Sequence, residues 1–399
     1  MSLMCTVATA LRSSLNTKKA LDIGRLQNIN VMPFPSNVVD KDVQSILLPL
    51  NLLQLLTFCP KYRIKNNVVY PNSLIAISII VIATSIFVLS FVYRSYYLLS
   101  ANVLPWFSDF SVYFDVIFYS IGFIMNCFFI IVQSKQNVQF VLIFQSLHSF
   151  LKETNLKNLV IWNWVFVILV LLVFHIIFIY LLVILKLPFH FLYYSILLNS
   201  LDFHIVYASR LMKLLEHKLI LWNIQVLSCQ GNIDESYGKR LFQAYIDMLQ
   251  CYELVKVFFQ QFVKVLVHSL FYIKASLDLF SMTVKLGQMH RIAMAALSIS
   301  SIVIWLVKNL LWQIQLTVQC ERFYSVILHS QDTCAIVLNS NGSEAEKRLC
   351  KNVRRVTRAR FSKLRVCALF YVDASLQLSL MALLTDYIVV LLQFAFLDP

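Results

Sequence analysis

Seven separate blocks of about twenty apolar residues run through this 399-residue chain. A block of that length is what a helix needs to cross a hydrocarbon layer about 30 Å thick. They lie at roughly Ser73–Tyr93, Phe110–Val132, Leu159–Leu185, Pro188–Ala208, Val257–Thr283, Ile292–Val318 and Val366–Leu397. In lipid the backbone must satisfy its own N–H and C=O groups, so each block is expected to be helical. Composition agrees: 59% of residues are hydrophobic and 14% charged, against roughly 45–50% and about 25% in a soluble domain. The expectation is an all-α integral membrane protein with seven transmembrane helices. Soluble enzymes, disordered chains and nucleic-acid binders are set aside. The fifth block is the least regular, because Lys264, Lys274 and Asp278 lie within it.

Ile46–Cys59 is too short to cross and holds Pro49 and Asn51. It reads as an interfacial or re-entrant helix ahead of the first span. Residues 1–72 are therefore expected to form an N-terminal segment, and 73–397 the seven-helix domain. Met1–Leu11 is mildly apolar but lacks a basic start, so no signal peptide is expected.

Lysine and arginine decide the orientation. Outside the spans, one side holds only Arg94, Lys186, Lys285 and Arg291, while the other takes the remaining basic residues, those of the N-terminal segment included. The N-terminus is thus expected in the cytoplasm and the C-terminus outside. The +14 net charge becomes a topology signal and a surface for anionic membrane lipid, with no nucleic acid required. Nine cysteines show no Cys-x-x-Cys pair and no metal-ligand spacing, and several sit in apolar runs, Cys127 and Cys367 among them. They read as buried reduced thiols.

The inner segments at 209–256 and 319–365 are long. Leu211, Leu214, Leu215, Lys218 and Leu219 recur at helical spacing, as do Leu241, Tyr245, Met248, Leu249 and Tyr252. Helices four to six should continue into the cytoplasm and pack there, within one subunit or between subunits. The sequon Asn341-Gly342-Ser343 falls on that side and should go unused.

No chemistry of catalysis is written in the chain. A P-loop, a His-Glu-x-x-His pair and a nucleophile elbow are all missing, so no enzyme activity, metal or cofactor is expected. A G-protein-coupled receptor would have the opposite orientation, an Asp-Arg-Tyr after span three and an Asn-Pro in span seven. A transporter would break its helices near the midplane, yet only Gly122 of the six glycines lies inside a span.

The last block carries the sharpest pattern. Ser375, Ser379, Ala382, Asp386, Val389 and Gln393 follow at alternating steps of four and three, which is one helix face. The other faces are mostly Leu, Val, Ile, Met and Phe. A carboxylate inside a span costs about 2.5–3.5 kcal/mol on insertion scales, so Asp386 should face water or a partner. Copies of this stripe around an axis would line a pore. A seam packed inside one subunit is the competing explanation.

The chain ends Cys367-Ala-Leu-Phe-Tyr-Val-Asp373, then Thr385-Asp-Tyr387-Ile-Val-Val-Leu-Leu-Gln393-Phe394. This resembles the C-terminal signature of insect gustatory receptors: Thr-Tyr, five hydrophobic residues, then Gln-Phe, preceded by Leu-Phe-x-x-Asp. Tyr387, Gln393, Phe394 and the five residues between match, while Asp386 takes the threonine position and Thr385 is displaced by one. Leu48-Pro-Leu and Phe58-Cys-Pro60 add a weaker likeness ahead of the first span. The resemblance implies a tetrameric, tastant-gated cation channel in the plasma membrane of gustatory sensory neurons, homomeric or mixed with other gustatory receptors. It implies that the last helix lines the pore, with Gln393 and Phe394 near the extracellular gate. It also implies that the inner parts of helices four to seven anchor the tetramer. Sugar-receptor members carry Glu after the motif tyrosine; Ile388 stands here, which favours bitter or plant secondary compounds.

A pocket for such a ligand should open outward among spans two to six. Projection of the outer halves offers Tyr113, Asp115 and Tyr119, then His175, Tyr193 and Tyr194, then Tyr272, Lys274 and Asp278, and last Ser298 and Trp305. Aromatic walls with few polar groups suit a mid-sized, mostly apolar molecule. Packing competes as an explanation for each residue, and isolated histidines such as His175 and His268 suit it well. Lys274 and Asp278 stand one turn apart and can pair privately. Asp115 has no such neighbour and is the better pocket candidate. The rival to a channel is an inverted seven-span metabotropic or accessory protein without its own pore.

Overall fold

Where the apolar blocks carry a described backbone they are helical, with one exception at the start of the last. The computed structural model describes residues 37–100, 106–152, 156–184, 190–229, 233–259, 292–340, 342–366, 370–376, 378–379, 382, 385–386 and 389. It is mostly helical, at 84%. The chain divides into two compact units, Met1–Val38 and Val39–Pro399, and the described helices lie in the second.

Helix α1, Lys41–Leu56, turns Val43, Ile46, Leu47, Leu50 and Leu53 inward, and leaves Leu48, Leu52, Leu55 and Leu56 exposed. Its inner face packs on α5, Leu156–Ile184, and α6, His190–Ser228. The compact unit begins at Val39, so α1 belongs to it. A hairpin follows, β1 Arg63–Lys65 against β2 Val68–Tyr70. Its turn, Asn66-Asn67, has φ of 53° and 62°, a left-handed conformation that asparagine tolerates.

Helix α2, Leu74–Ser100, packs along α3, Trp106–Val132. Its stretch Leu74–Tyr96 is long and apolar enough to cross a membrane, and 17% of its most apolar window is buried. Among the described residues a second such span arises only if Tyr119–Val132 and Ser134–Phe150, which meet at 60°, are counted together. Among the described residues there are thus one or two candidate spans where the sequence predicts seven. Most of the fifth block lies outside the described residues.

Helix α4, Ser134–Phe150, occupies what the sequence treats as a loop. Phe140, Val141, Phe144, Leu147 and His148 are buried on one face against α7, Glu235–Phe259. Two further helices are far longer than a bilayer requires. α6 has 39 residues and α8, Ile292–Asn339, has 48. At 1.5 Å per residue these reach about 58 and 72 Å. Their C-terminal halves pack with α7 and α9, Glu344–Arg360, as the spacing of Leu211–Leu219 and Leu241–Tyr252 predicts.

The α6–α9 bundle is dense and aromatic. Trp222 is fully buried, donates from Nε1 to the Leu241 carbonyl at 2.9 Å, and meets the Tyr245 ring at 4.9 Å. Tyr252 packs on Phe323 and Phe361, and its hydroxyl donates to the Ser362 carbonyl. Ser343 caps α9: its hydroxyl accepts from the Glu346 amide, while the Glu346 carboxylate accepts from the Ser343 amide. A Cβ at Gly342 would meet that carboxylate at 2.4 Å. The sequon's Gly and Ser are thus committed to a helix start.

The last block does not begin as a helix. Arg365–Val366 forms β3 and pairs with β4, Phe370–Tyr371; the described helical residues start at 374. Asp373 supplies the reason, because its carboxylate accepts from the Ser375 backbone amide at 3.1 Å, as a helix cap does.

Candidate functional site

The final helix stands on a charged foot. Lys363 reaches Asp373 at 3.1 Å and Glu321 on α8 at 3.4 Å. Glu321 also accepts from the Ala374 amide at 3.2 Å. Ser375 donates to the Asp373 carboxylate from both its amide and its hydroxyl. Burial opposes the charge on Lys363, but the Asp373 and Glu321 carboxylates raise it above its ordinary value. The motif residue Asp373 thus caps the helix and ties its first turn to α8.

Above this foot, Ser375, Ser379, Ala382, Asp386 and Val389 are all exposed. Leu378, at 75%, and Thr385 flank the stripe on one side and are exposed as well. On the other side Leu376, one residue or about 100° from Ser375, is 7% exposed. The described part of the helix therefore rests on the body along one edge and presents its small and polar stripe outward. Tyr387, Gln393 and Phe394 lie outside the described residues.

The pocket candidates separate. Tyr119 is 2% exposed and stacks on Phe91 of α2 with ring centroids 5.1 Å apart. Tyr113 is 56% exposed and, six residues away, lies on a different face of α3. The His175 ring nitrogen Nδ1 pairs with the Leu171 carbonyl of its own helix. Asp115, Tyr193, Tyr194, Ser298 and Trp305 fall on helical backbone of α3, α6 and α8, with side chains outside the description. Tyr272, Lys274 and Asp278 lie outside the described residues.

Neither a scan against protein-family models nor a search of curated proteins returns a match for this chain.

Two polar links sit where the sequence suggested none. Asp202 of α6 and Lys308 of α8 meet at 2.5 Å, with side chains 2% and 4% exposed. Asn163 of α5 is fully buried, donates to the Ile46 carbonyl of α1 and accepts from Arg210 Nε at 2.7 Å. The Arg210 guanidinium also lies over the Phe166 ring at 5.4 Å. The signal was available: one acid in the fourth apolar block and one base in the sixth, each needing a partner.

Proposed function

We propose that this protein is a ligand-gated, non-selective cation channel of the gustatory-receptor type. It would cross the plasma membrane seven times with the N-terminus inside, and assemble as a tetramer around copies of the final helix. The observation that carries this reading is the outward-facing stripe of Ser375, Ser379, Ala382, Asp386 and Val389. A single chain leaves the carboxylate of Asp386 and the residues Ser375 and Ser379 exposed on a mostly apolar helix, and other copies facing one axis would give them a hydrated lining. Rings of acidic side chains concentrate cations and exclude anions. The charged foot at Asp373, Lys363 and Glu321 supports the same reading, since it joins the lining helix to the long helix α8. The long inner halves of α6 and α8, bound to α7 and α9, suit an anchor on the cytoplasmic side. The ligand proposed is a mid-sized, mostly apolar tastant of the bitter or plant-secondary-compound class.

Voltage clamp of cells expressing the full chain alone tests this directly. Tastant-evoked cation current without a G protein is the expected result. Asp386→Asn should lower unitary conductance and divalent permeability, with ligand sensitivity little changed, and Asp386→Lys should abolish the current. Reversal potentials in mixed sodium and calcium that do not move in Asp386→Asn would take Asp386 out of the pore.

A further inference from the structure

The Asp202–Lys308 pair joins the two longest of the described helices, with both side chains buried. An ammonium and a carboxylate lose much of their hydration on burial, and apolar replacements of such pairs are often equally stable or better. Stability alone therefore does not account for it. An ion pair differs from an apolar contact in admitting a single alignment. Sliding α6 along α8 by one turn, about 5.4 Å, would pull this buried carboxylate away from its ammonium. Leucine and methionine would tolerate the same slip.

Its position along the helices matters as much as its chemistry. Tyr193 and Tyr194 lie N-terminal to Asp202 on α6, and Ser298 and Trp305 lie N-terminal to Lys308 on α8. Beyond the pair in the other direction come Trp222 on α6 and Phe323 on α8, both bound into the bundle through α7. Each helix is thus pinned between the segment assigned to ligand and the segment bound into the bundle, and α8 also holds the final helix through Glu321.

We infer that Asp202 and Lys308 are a positioning pair that locks α6 and α8 in one register, so that displacement at the ligand-facing segments passes to the bundle. The transmission half of this inference rests on the channel reading; the register lock does not.

The test uses the full chain in nanodiscs, with spin labels on non-natural amino acids at Ile224 and Leu328, which are 55% and 58% exposed. Wild type and the swap Asp202→Lys/Lys308→Asp should give one narrow distance. The pair Asp202→Leu/Lys308→Met should broaden it or shift it by about one helical turn, 5.4 Å. An unchanged narrow distance overturns the lock. If that variant fails to fold, Asp202→Asn/Lys308→Gln carries the same measurement. Under voltage clamp, the apolar pair should change basal current at least about fivefold, the lower end of ordinary coupling between sites. Unchanged current beside a broadened distance overturns the transmission. A wild type that never conducts overturns the channel reading, and the distance alone then decides the lock.

Discussion

Helix α2 and the α6–α9 bundle are built from similar residues and treat them in opposite ways. Along α2, Leu74, Ile75, Ile82, Ile86 and Leu89 are between 50% and 82% exposed. In the bundle Trp222, Tyr245, Phe323, Leu215 and Leu241 are fully buried. The bundle obtains its apolar burial inside one chain and satisfies its polar tips locally, as Tyr245 does with the Thr357 hydroxyl at 2.8 Å. An exposed apolar surface the length of α2 calls for another covering; lipid supplies it in the reading proposed above. The lesson is that hydrophobicity locates both regions, while the distribution of polar groups separates them. α7 and α9 carry charge on their outer faces, and Leu74–Tyr96 carries only Arg94.

The contrast breaks most visibly at Trp222. Trp222→Ala removes a fully buried ring and leaves the Leu241 carbonyl without its donor, and should cost about 3–5 kcal/mol, read as a large fall in melting temperature of the purified protein. Comparable tolerance at Trp222 and at an exposed residue such as Ile82 would erase the distinction. Ile86→Lys, near the centre of Leu74–Tyr96, sharpens it from the other side. In lipid a lysine there costs about 2.5–3.5 kcal/mol, so the fraction inserted in a microsome assay should fall sharply. Unaltered insertion and surface yield would mean that this face of α2 meets water.

A pH series separates the regions more gently. His148 of α4 is 5% exposed, stacks on Phe144, and is lowered to about 4 by burial and then by the nearby Lys218 charge. An unfolded histidine titrates near about 6.5, so its neutral form favours the fold above that value, and this contribution is lost as pH falls toward 4. Bundle stability should decline across that window, and His148→Gln should flatten the decline; an unchanged slope would assign the acid sensitivity elsewhere. The smallest expected effect is at Ser343. Ser343→Ala removes one half of the α9 capping box and should cost about 1 kcal/mol. Faster amide exchange in the first turn of α9, with α2 unaffected, is the signature to look for.

Much of this architecture was legible in the residues. Helical spacing found the inner extensions of α6 and α7, because core-facing leucines and tyrosines recur at three and four. The same spacing at Phe140, Phe144 and Leu147 marks α4, although the segment lies between two apolar blocks and carries Lys135 and Lys152. The start of the final helix was misplaced by eight residues, since Val366 and Phe370 are as apolar in a hairpin as in a span. Asp373 belongs to a sequence pattern, but its role as a cap depends on the Ser375 amide and Lys363 beside it.

What the sequence determined by itself is the helical class, the long apolar blocks and the small-and-polar stripe at 375, 379, 382, 386 and 389. These depend on periodicity and composition, which are local properties of the chain. Tertiary structure alone decided that the stripe is uncovered within one chain, that Tyr119 serves packing on α2, and that Asp202 finds Lys308. Those are relations between residues far apart in sequence, 106 positions for the ion pair. No local pattern encodes them, because a buried charge states only that it needs a partner, and packing of the helices chooses which.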